Sequence, residues 1–279
     1  MLGQMKLLLG HSPDADDSFM FYAMAKELVN LRGHEYDHVL QDIETLNRRC
    51  QKGELDVSAV SFHAYTTIAD RYALLPCGAS FGDGYGPCLV AKKKYSREDL
   101  KKLRIAVPGL LTSAYLTLQL YLGLPHGRFP AVIVPFDKIQ DEILAGKVDA
   151  GLLIHEGQLT YQEEGFTLCE DLGKWWAMET GGLPLPLGGN VVRRDLGSEV
   201  IAAVTATLRE SVRYGLDHRQ AGVRHALPLS RGMDEKRTDK FIGMYVNELT
   251  LDFGPRGQSA LREFYRRAKQ AGLIQANPL

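Results

Sequence analysis

The sequence predicts an α/β protein with two lobes and a ligand cleft between them. Short apolar runs alternate with amphipathic segments, which is typical of strands joined by helices in a largely parallel sheet. The alternation occurs in two series, one starting at "KLLLG" and one at "GPCLVAKK". At 279 residues the chain also exceeds the usual domain size of roughly 100 to 200 residues. We therefore expect two domains.

The first series predicts the sheet of one lobe. Its segments are, in order, "KLLLG", a helix from about Ser18 to Val29, "HVLQDI", a helix over "ETLNRRCQKG", "VSAVSF" and a helix from about His63 to Tyr72. The second series continues through "RIAVPG", a helix over "TSAYLTLQLYLG", "AVIVPF", a helix over "DKIQDEILAGK" and "DAGLLIHE", and ends at "GNVVRRD". Long helices follow at about Ser198 to Asp217, about Asp234 to Leu249 and about Gly257 to Ala271. We expect no further strand in this C-terminal part.

This order predicts one lobe inserted into the other. Lobe 1 is expected to comprise residues 1–90 and 191–279, and lobe 2 residues 91–190, with hinge crossings near 88–94 and 188–193. The glycine-rich stretches "GASFGDGYGP" and "TGGLPLPLGGN" lie at these crossings. Glycine there can absorb the dihedral changes of a hinge closure.

Composition excludes several classes of partner. Lys and Arg total 33 against 34 Asp and Glu, a net charge of -1, and no stretch combines basic and aromatic residues as a nucleic-acid groove does. We find no secretory signal and no run of ~18 apolar residues, so we expect a cytoplasmic protein without membrane association. The four cysteines lack a C-x-x-C pair, which argues against structural zinc and indicates reduced thiols. The expected partner is a small molecule, bound by a monomer or a homodimer.

Candidate ligand contacts are the residues that follow each apolar run, because ligands of such sheets collect at the carboxyl ends of the strands. These positions are Ser12 to Ser18, Asp42 to Thr45, Ser61 to His63, Pro108 to Ser113, and His155 with Glu156. The stretch "GDGYGP" lacks the spacing and the strand-to-helix setting of a dinucleotide fingerprint, so no nucleotide cofactor is implied.

The stretch "HSPDADDSFMF" places Asp14, Asp16 and Asp17 within four positions. Asp16, Asp17 or Ser18 can cap the following helix and meet the positive end of its dipole. The three carboxylates cannot all cap the same amides, so the others need a basic residue, a ligand hydroxyl or a cation. Without a phosphate-binding motif they are a weak signal for magnesium. We expect one aspartate to cap the helix, and Asp14 and Asp16 to line the cleft.

Two later stretches also suggest chemistry. In "VPGLLTSAY", Thr112 and Ser113 open a helix whose exposed amides would bind a carboxylate or phosphate, although a turn capped by Thr112 fits equally well. His155 ends the run "DAGLLIHE", where it is either a general base or a structural histidine. His63 is a weaker candidate of the same kind, and His11 is either a pocket wall or a strand end.

Motifs along almost the whole chain carry a family resemblance. They are, in order, "SPDADDSFMFYA", "DIETLNRRCQKGELDVSAVSFHAY", "RYALLPCGASFGDGYGP", "VPGLLTSAY", "AGLLIHEGQLTY", "DLGKWW", "LPLPLGG" and "YVNELTLDFG". The chain resembles the 1,4-dihydroxy-6-naphthoate synthases of the futalosine route to menaquinone, relatives of the type II periplasmic binding proteins. "ETLN", "GLLIHE" and the Trp-Trp followed by "LPLPLG" are specific to this branch, and the related chorismate dehydratases lack the "IHE" histidine.

The resemblance implies a two-lobed, periplasmic-binding-protein-like (type II) fold. It also implies a carbon–carbon lyase that opens cyclic de-hypoxanthine futalosine and releases 1,4-dihydroxy-6-naphthoate without metal or organic cofactor. The family's base corresponds to His155, Thr112 and Ser113 are expected to hold the naphthoate carboxylate, and Ser61 is expected to contact the substrate. The full predicted substrate-binding set is Ser12, Asp14, Asp16, Asp42, Ser61, His63, Thr112 and Ser113.

The sequence departs from the family pattern "SPCPNDTF" at its first motif. Asp14 stands in place of Cys and Asp16 in place of Asn, and His63 stands where a small residue is expected. An ionised Asp only accepts hydrogen bonds, whereas Asn also donates. Two alternatives therefore stay open: a lyase or dehydratase of the same fold with another carboxylated substrate, and a cytoplasmic small-carboxylate-binding protein without catalysis.

Overall fold

A computed structural model describes residues 4–124 and 131–279. The N-terminal stretch in which we found no secretory signal includes residues 1–3, which lie outside the described residues. The chain divides into two compact units. Unit 1 contains residues 1–81 and 188–255, and unit 2 contains residues 82–187 and 256–279.

The strands and helices of the described residues follow in chain order. The strands are β1 (Lys6–His11), β2 (Glu35–Leu40), β3 (Val57–Ser61), β4 (Tyr72–Leu74), β5 (Ser80–Gly82), β6 (Cys88–Ala91), β7 (Ile105–Val107), β8 (Ala131–Ile133), β9 (Ala150–Leu153), β10 (Thr167–Asp171) and β11 (Leu185–Arg193). The α-helices are α1 (Ala15–Met20), α2 (Tyr22–Ala25), α3 (Ile43–Lys52), α4 (Phe62–Tyr65), α5 (Arg97–Leu100), α6 (Ser113–Leu122), α7 (Ile139–Leu144), α8 (Gly157–Thr160), α9 (Leu172–Thr180), α10 (Ser198–Asp217), α11 (Arg219–Ala226), α12 (Glu235–Tyr245), α13 (Glu248–Leu251) and α14 (Gly254–Gln270).

The sheet built around β1 and β3 has the order β2-β1-β3-β11-β4, with β5 paired to β11. As predicted, β1 lies parallel to β2 and β3. In contrast, β11 runs antiparallel to β3 and β4. The parallel strands β1, β2 and β3 are connected by helices, as parallel neighbours require. Strand β11 enters this sheet only after the strands of unit 2, so it is not tied to β3 by a single helical crossover.

The sheet of unit 2 has the order β10-β6-β9-β7-β8. Its strand β7 lies parallel to β8 and β9, while β6 is antiparallel to β9 and β10 is antiparallel to β6. Both sheets are therefore mixed. In each sheet, candidate site residues follow the carboxyl ends of parallel strands. β10 and α9 were not predicted from the sequence.

Several predicted helices are shorter than expected. The helix predicted from Ser18 starts at Ala15 and breaks into the short α1 and α2. The helix predicted from His63 to Tyr72 is only α4, because Tyr72 opens β4. The helix predicted from about Asp234 to Leu249 is divided into α12 and α13, because Asn247 between them is the N-cap of α13. The bounds predicted for α10 agree with the structure, and its buried residues recur at three- and four-residue spacing.

The division into units differs from the predicted lobes in two respects. One boundary falls at residues 81/82 rather than at 88–94, whereas the other, at 187/188, adjoins the predicted 188–193 crossing. All of the helix α14 after Pro255 belongs to unit 2, whereas the sequence predicted it in lobe 1. Side-chain contacts explain its place: Phe264 packs edge-on against Trp176 at 5.6 Å between ring centroids, and Arg256 binds both carboxylate oxygens of Asp83 at 2.7 Å.

None of the helices in the described ranges is long and apolar enough to cross a membrane.

Candidate functional site

Ser12, directly after β1, is held by two of the three clustered aspartates. Its backbone N–H donates to Asp17 Oδ2 at 2.7 Å, and its hydroxyl donates to Asp14 Oδ2 at 2.8 Å. The backbone N–H of Asp14 in turn lies 3.2 Å from Ser12 Oγ. Ser12 is buried, so these contacts satisfy polar groups that have left water.

The aspartates do not cap the helix as predicted. Because α1 begins at Ala15, Asp14 occupies the cap position, but its carboxylate binds Ser12 and the guanidinium of Arg231, 2.7 Å away. Asp16 and Asp17 lie in the first turn, where the positive end of the helix dipole favours negative charge. The charge expected at Asp14 is thus compensated by a cation 217 positions away in the chain.

Asp17 has an unusual environment for a carboxylate. Burial raises its pKa to about 7, the hydrogen bond from the Ser12 amide opposes this rise, and the charge of Asp14 adds to it. Burial disfavours the ionised form because the protein interior solvates charge poorly. Asp17 was expected only as a cap; its hydrogen bond to the preceding loop is visible only in the structure.

Ser61, which ends β3, is held by Asn47 of α3. The Asn47 carbonyl oxygen accepts the Ser61 backbone N–H at 2.9 Å, and the Asn47 amide donates to Ser61 Oγ at 3.1 Å. Both residues are buried. The amide fixes Ser61 Oγ as an acceptor, so the hydroxyl proton remains available to donate. Asn47 was not among the predicted site residues, although it is the last letter of the "ETLN" motif.

Asp42 and His63 occupy the other predicted positions of unit 1. Asp42 is the N-cap of α3: one oxygen accepts the Thr45 backbone N–H at 3.0 Å and the other accepts the Thr45 hydroxyl. His63 is half-buried in α4, and its backbone carbonyl accepts the Thr66 hydroxyl at 2.7 Å. Because β1 and β3 are parallel neighbours, the loops that carry Ser12 and Ser61 leave the same sheet edge.

In unit 2, Thr112 caps α6. Its hydroxyl oxygen accepts the Tyr115 backbone N–H at 3.2 Å and donates to the Gly109 carbonyl at 2.9 Å. Ser113, the first residue of the helix, is buried beside it. The capped turn considered for this stretch is therefore present, and it leaves the positive helix end as the feature suited to an anion.

His155 follows β9, the parallel neighbour of β7, so its loop leaves the sheet at the same edge as α6. Its Nδ1 accepts the Gly157 backbone N–H at 2.9 Å, and its Nε2 lies 2.9 Å from the Phe136 carbonyl oxygen. An amide can only donate and a carbonyl can only accept, so this imidazole carries its proton on Nε2. Nδ1 is then the basic atom of His155.

Metal ligands are not grouped in the described ranges: no three His, Cys, Asp or Glu side chains within residues 4–124 and 131–279 are arranged to hold an ion.

The chain is similar to known proteins over nearly its whole length. A family model described as "Menaquinone biosynthesis" matches residues 7–270. A protein of Thermus thermophilus described as "1,4-dihydroxy-6-naphtoate synthase" is 38% identical over 272 residues, covering 98% of this chain and 97% of that protein. A Streptomyces coelicolor protein with the same description is 37% identical over 272 residues, covering 97% and 95%.

Solved structures agree with the fold. A crystal structure of an Archaeoglobus fulgidus protein superposes with a TM-score of 0.91 at 44% identity, covering 96% of this chain and 98% of that chain. The alkanesulfonate-binding protein of Xanthomonas axonopodis pv. citri superposes with a TM-score of 0.73 at 14% identity, covering 98% and 95%. At that identity the likeness concerns the fold alone, and it confirms the predicted periplasmic-binding-protein-like fold.

Proposed function

Because this chain belongs to the menaquinone biosynthesis family, we propose that it is a carbon–carbon lyase that converts cyclic de-hypoxanthine futalosine to 1,4-dihydroxy-6-naphthoate. The observation that carries the proposal is the similarity, over 97% or more of the chain, to two proteins described as the corresponding synthase. Neither alternative, a receptor without catalysis or a lyase or dehydratase with another substrate, is favoured by these relatives.

We assign the general base to His155 through its Nδ1 atom. Donation of Nε2–H to the Phe136 carbonyl sets the tautomer and favours the imidazolium that forms when Nδ1 takes a substrate proton. In the resting arrangement, the Gly157 amide occupies Nδ1. Catalysis therefore requires the substrate to replace the Gly157 N–H at this atom, through a small rotation of the imidazole or of the loop after β9.

We assign the naphthoate carboxylate to the N-terminus of α6. The Thr112 hydroxyl already caps the helix, so we expect recognition through the backbone amides of the first turn and the Ser113 hydroxyl. The helix dipole adds a favourable charge interaction of about 0.3 to 1 kcal/mol at such a terminus.

The other predicted substrate contacts are polar side chains. We expect Ser61 to donate its remaining proton, and Asp16 and His63 to contact substrate hydroxyls. Ser12, Asp14 and Asp42 are engaged in contacts that shape the loops after β1 and β2. No cofactor is proposed. All four cysteines are buried free thiols, which agrees with a cytoplasmic enzyme. We expect the enzyme to be a monomer or a homodimer.

The test is turnover of cyclic de-hypoxanthine futalosine by purified protein, with 1,4-dihydroxy-6-naphthoate followed by mass spectrometry. We expect product from the wild type and from His218→Ala, a control at an exposed histidine. We expect His155→Ala to lose about 100-fold or more of turnover while it still binds product, in line with the usual contribution of a general base. Full turnover in His155→Ala would refute the role of His155, and absence of product from the wild type would refute the synthase.

A further inference from the structure

Two histidines, His11 and His38, lie next to the loop that carries the aspartates; His11 is buried and His38 is half-buried. His11 is the last residue of β1, and His38 lies in the neighbouring strand β2. The His11 Nε2 and His38 Nδ1 atoms are 3.0 Å apart, and His11 Nδ1 lies 3.1 Å from the Ser12 carbonyl oxygen. The ring of Phe21 stacks on His11 at 4.6 Å between centroids. His11 is only 5% exposed, so its orientation is tightly constrained.

The contacts determine where both histidines carry their protons. The Ser12 carbonyl can only accept, so His11 Nδ1 must bear a hydrogen. Burial, together with His38 and His225, lowers the pKa of His11 to about 4, against a smaller opposing effect of the Ser12 carbonyl, so the ring is neutral near pH 7 and Nε2 has a lone pair. His38 Nδ1 must therefore be the donor between the rings. The direction of donation runs from His38 to His11 to Ser12.

The pair completes the hydrogen bonding of Ser12. Asp17 accepts from its amide, Asp14 accepts from its hydroxyl, and His11 donates to its carbonyl. Ser12 thereby fixes the first turn of the loop that carries Asp14 and Asp16.

We propose that His11 and His38 are positioning residues for this enzyme: His38 sets the tautomer of His11, and His11 holds the Ser12 carbonyl so that the Asp14–Asp16 loop is preorganised for substrate. The inference rests on the proposed function, because substrate is what the loop is positioned to bind. Without His38, the His11 proton can move to Nε2. The Nδ1 lone pair would then face the Ser12 carbonyl oxygen, and this repulsion would displace the loop.

Substitutions at His38 separate this role from simple packing. Asn places an amide donor near the position of Nδ1, so His38→Asn is expected to retain the contact. His38→Leu removes the donor. We expect the KM of His38→Leu to rise about tenfold, the usual effect of losing one buried hydrogen-bond partner, with kcat nearly unchanged. The KM of His38→Asn should stay within about threefold of wild type, because the amide donor is retained. A tenfold change in KM corresponds to about 1.4 kcal/mol.

A nitrogen-15 NMR spectrum of the histidine rings gives a readout independent of turnover. In wild type and His38→Asn, His11 should show a protonated Nδ1 and a bare Nε2; in His38→Leu it should show both tautomers. Should His38→Leu fail to fold, His38→Gln replaces it, because its longer side chain puts the donor out of line with His11 Nε2. The control is the surface variant His218→Asn. His218 Nδ1 also lies within hydrogen-bond distance of a backbone carbonyl, that of Tyr214, but His218 has no histidine partner among the described contacts.

Two results would overturn the proposal: a wild-type His11 protonated on Nε2, or a KM in His38→Leu, or in its replacement His38→Gln, equal to that of His38→Asn. Wild-type turnover is measured in the same series, so failure of the lyase assignment would show as absent product with the tautomers as stated. Failure of the positioning role would show as normal turnover with unchanged KM.

Discussion

Gly157 lies so close to His155 that it leaves no space for a side chain. A Cβ atom on Gly157 would come within 2.7 Å of His155 Cε1 and 2.8 Å of Gln140 Oε1. Real Cβ atoms essentially never approach other atoms this closely, so a larger residue at position 157 must displace the imidazole, the Gln140 side chain or both.

We therefore expect Gly157→Ala to lower kcat by about 10- to 100-fold, because small misplacement of a catalytic group is costly. Overpacking should also cost about 1 to 3 kcal/mol of unfolding free energy. Steady-state kinetics and urea unfolding measure the two effects. The matched control is Gly243→Ala, whose new Cβ meets only the end of the flexible Arg219 side chain. Equal kcat in both variants would contradict the prediction.

The ion pair between Asp14 and Arg231 predicts energetic coupling. Both side chains are partly buried, with 17% and 29% exposed, so the pair is screened less than a surface pair. Arg231→Met should raise KM, because the loop after β1 loses this contact. In a cycle with Asp14→Asn, we expect a coupling of about 1 kcal/mol in unfolding free energy. Strictly additive effects in urea unfolding would show that the pair contributes nothing.

The buried Asp17 predicts a pH-dependent stability. Its pKa is about 7 in the folded protein against 3.8 for the ordinary group, so between these values the folded state retains a proton that the unfolded state has lost. The contribution of Asp17 to the unfolding free energy therefore falls as pH rises from about 4 to 7.

Asp17→Asn removes this penalty and still accepts from the Ser12 amide. We expect the variant to be more stable than wild type by an amount that grows from about pH 4 to 7, to the order of a few kcal/mol, and then levels off. The difference between the two melting curves at each pH cancels other groups, including His11, whose lowered pKa acts in the opposite direction. A difference independent of pH would contradict the assignment.

The contacts of Asn47 predict a cost for its removal. Asn47→Ala leaves the buried Ser61 amide without its acceptor, which should lower the unfolding free energy by about 1 to 3 kcal/mol. Asn47→Asp keeps the acceptor but cannot donate to Ser61 Oγ, so the hydroxyl must donate to the carboxylate. If Ser61 donates to substrate, this reversal raises KM without comparable loss of stability. A KM unchanged in Asn47→Asp would argue against the Ser61 contact.

The sequence was sufficient for features that depend on local periodicity and on chain order. Alternation of apolar runs and amphipathic segments predicted the α/β class, and the helical character of the C-terminal part predicted α10 from about Ser198 to Asp217, as observed. Placement after apolar runs correctly located Ser12, Ser61 and His155 at strand ends. These properties were predictable because helix and strand periods are written in neighbouring residues.

Only the tertiary structure decided which partners these residues have. His11 meets His38 across 27 positions, and Asp14 meets Arg231 across 217. The directions of β6 and β11 and the placement of α14 in unit 2 likewise depend on contacts between distant segments. Sequence by itself determined where donors and acceptors stand along the chain. Folding decided which of them meet and which are buried: hydrogen-bond partners set the tautomer of a histidine, and burial raises the pKa of a carboxylate.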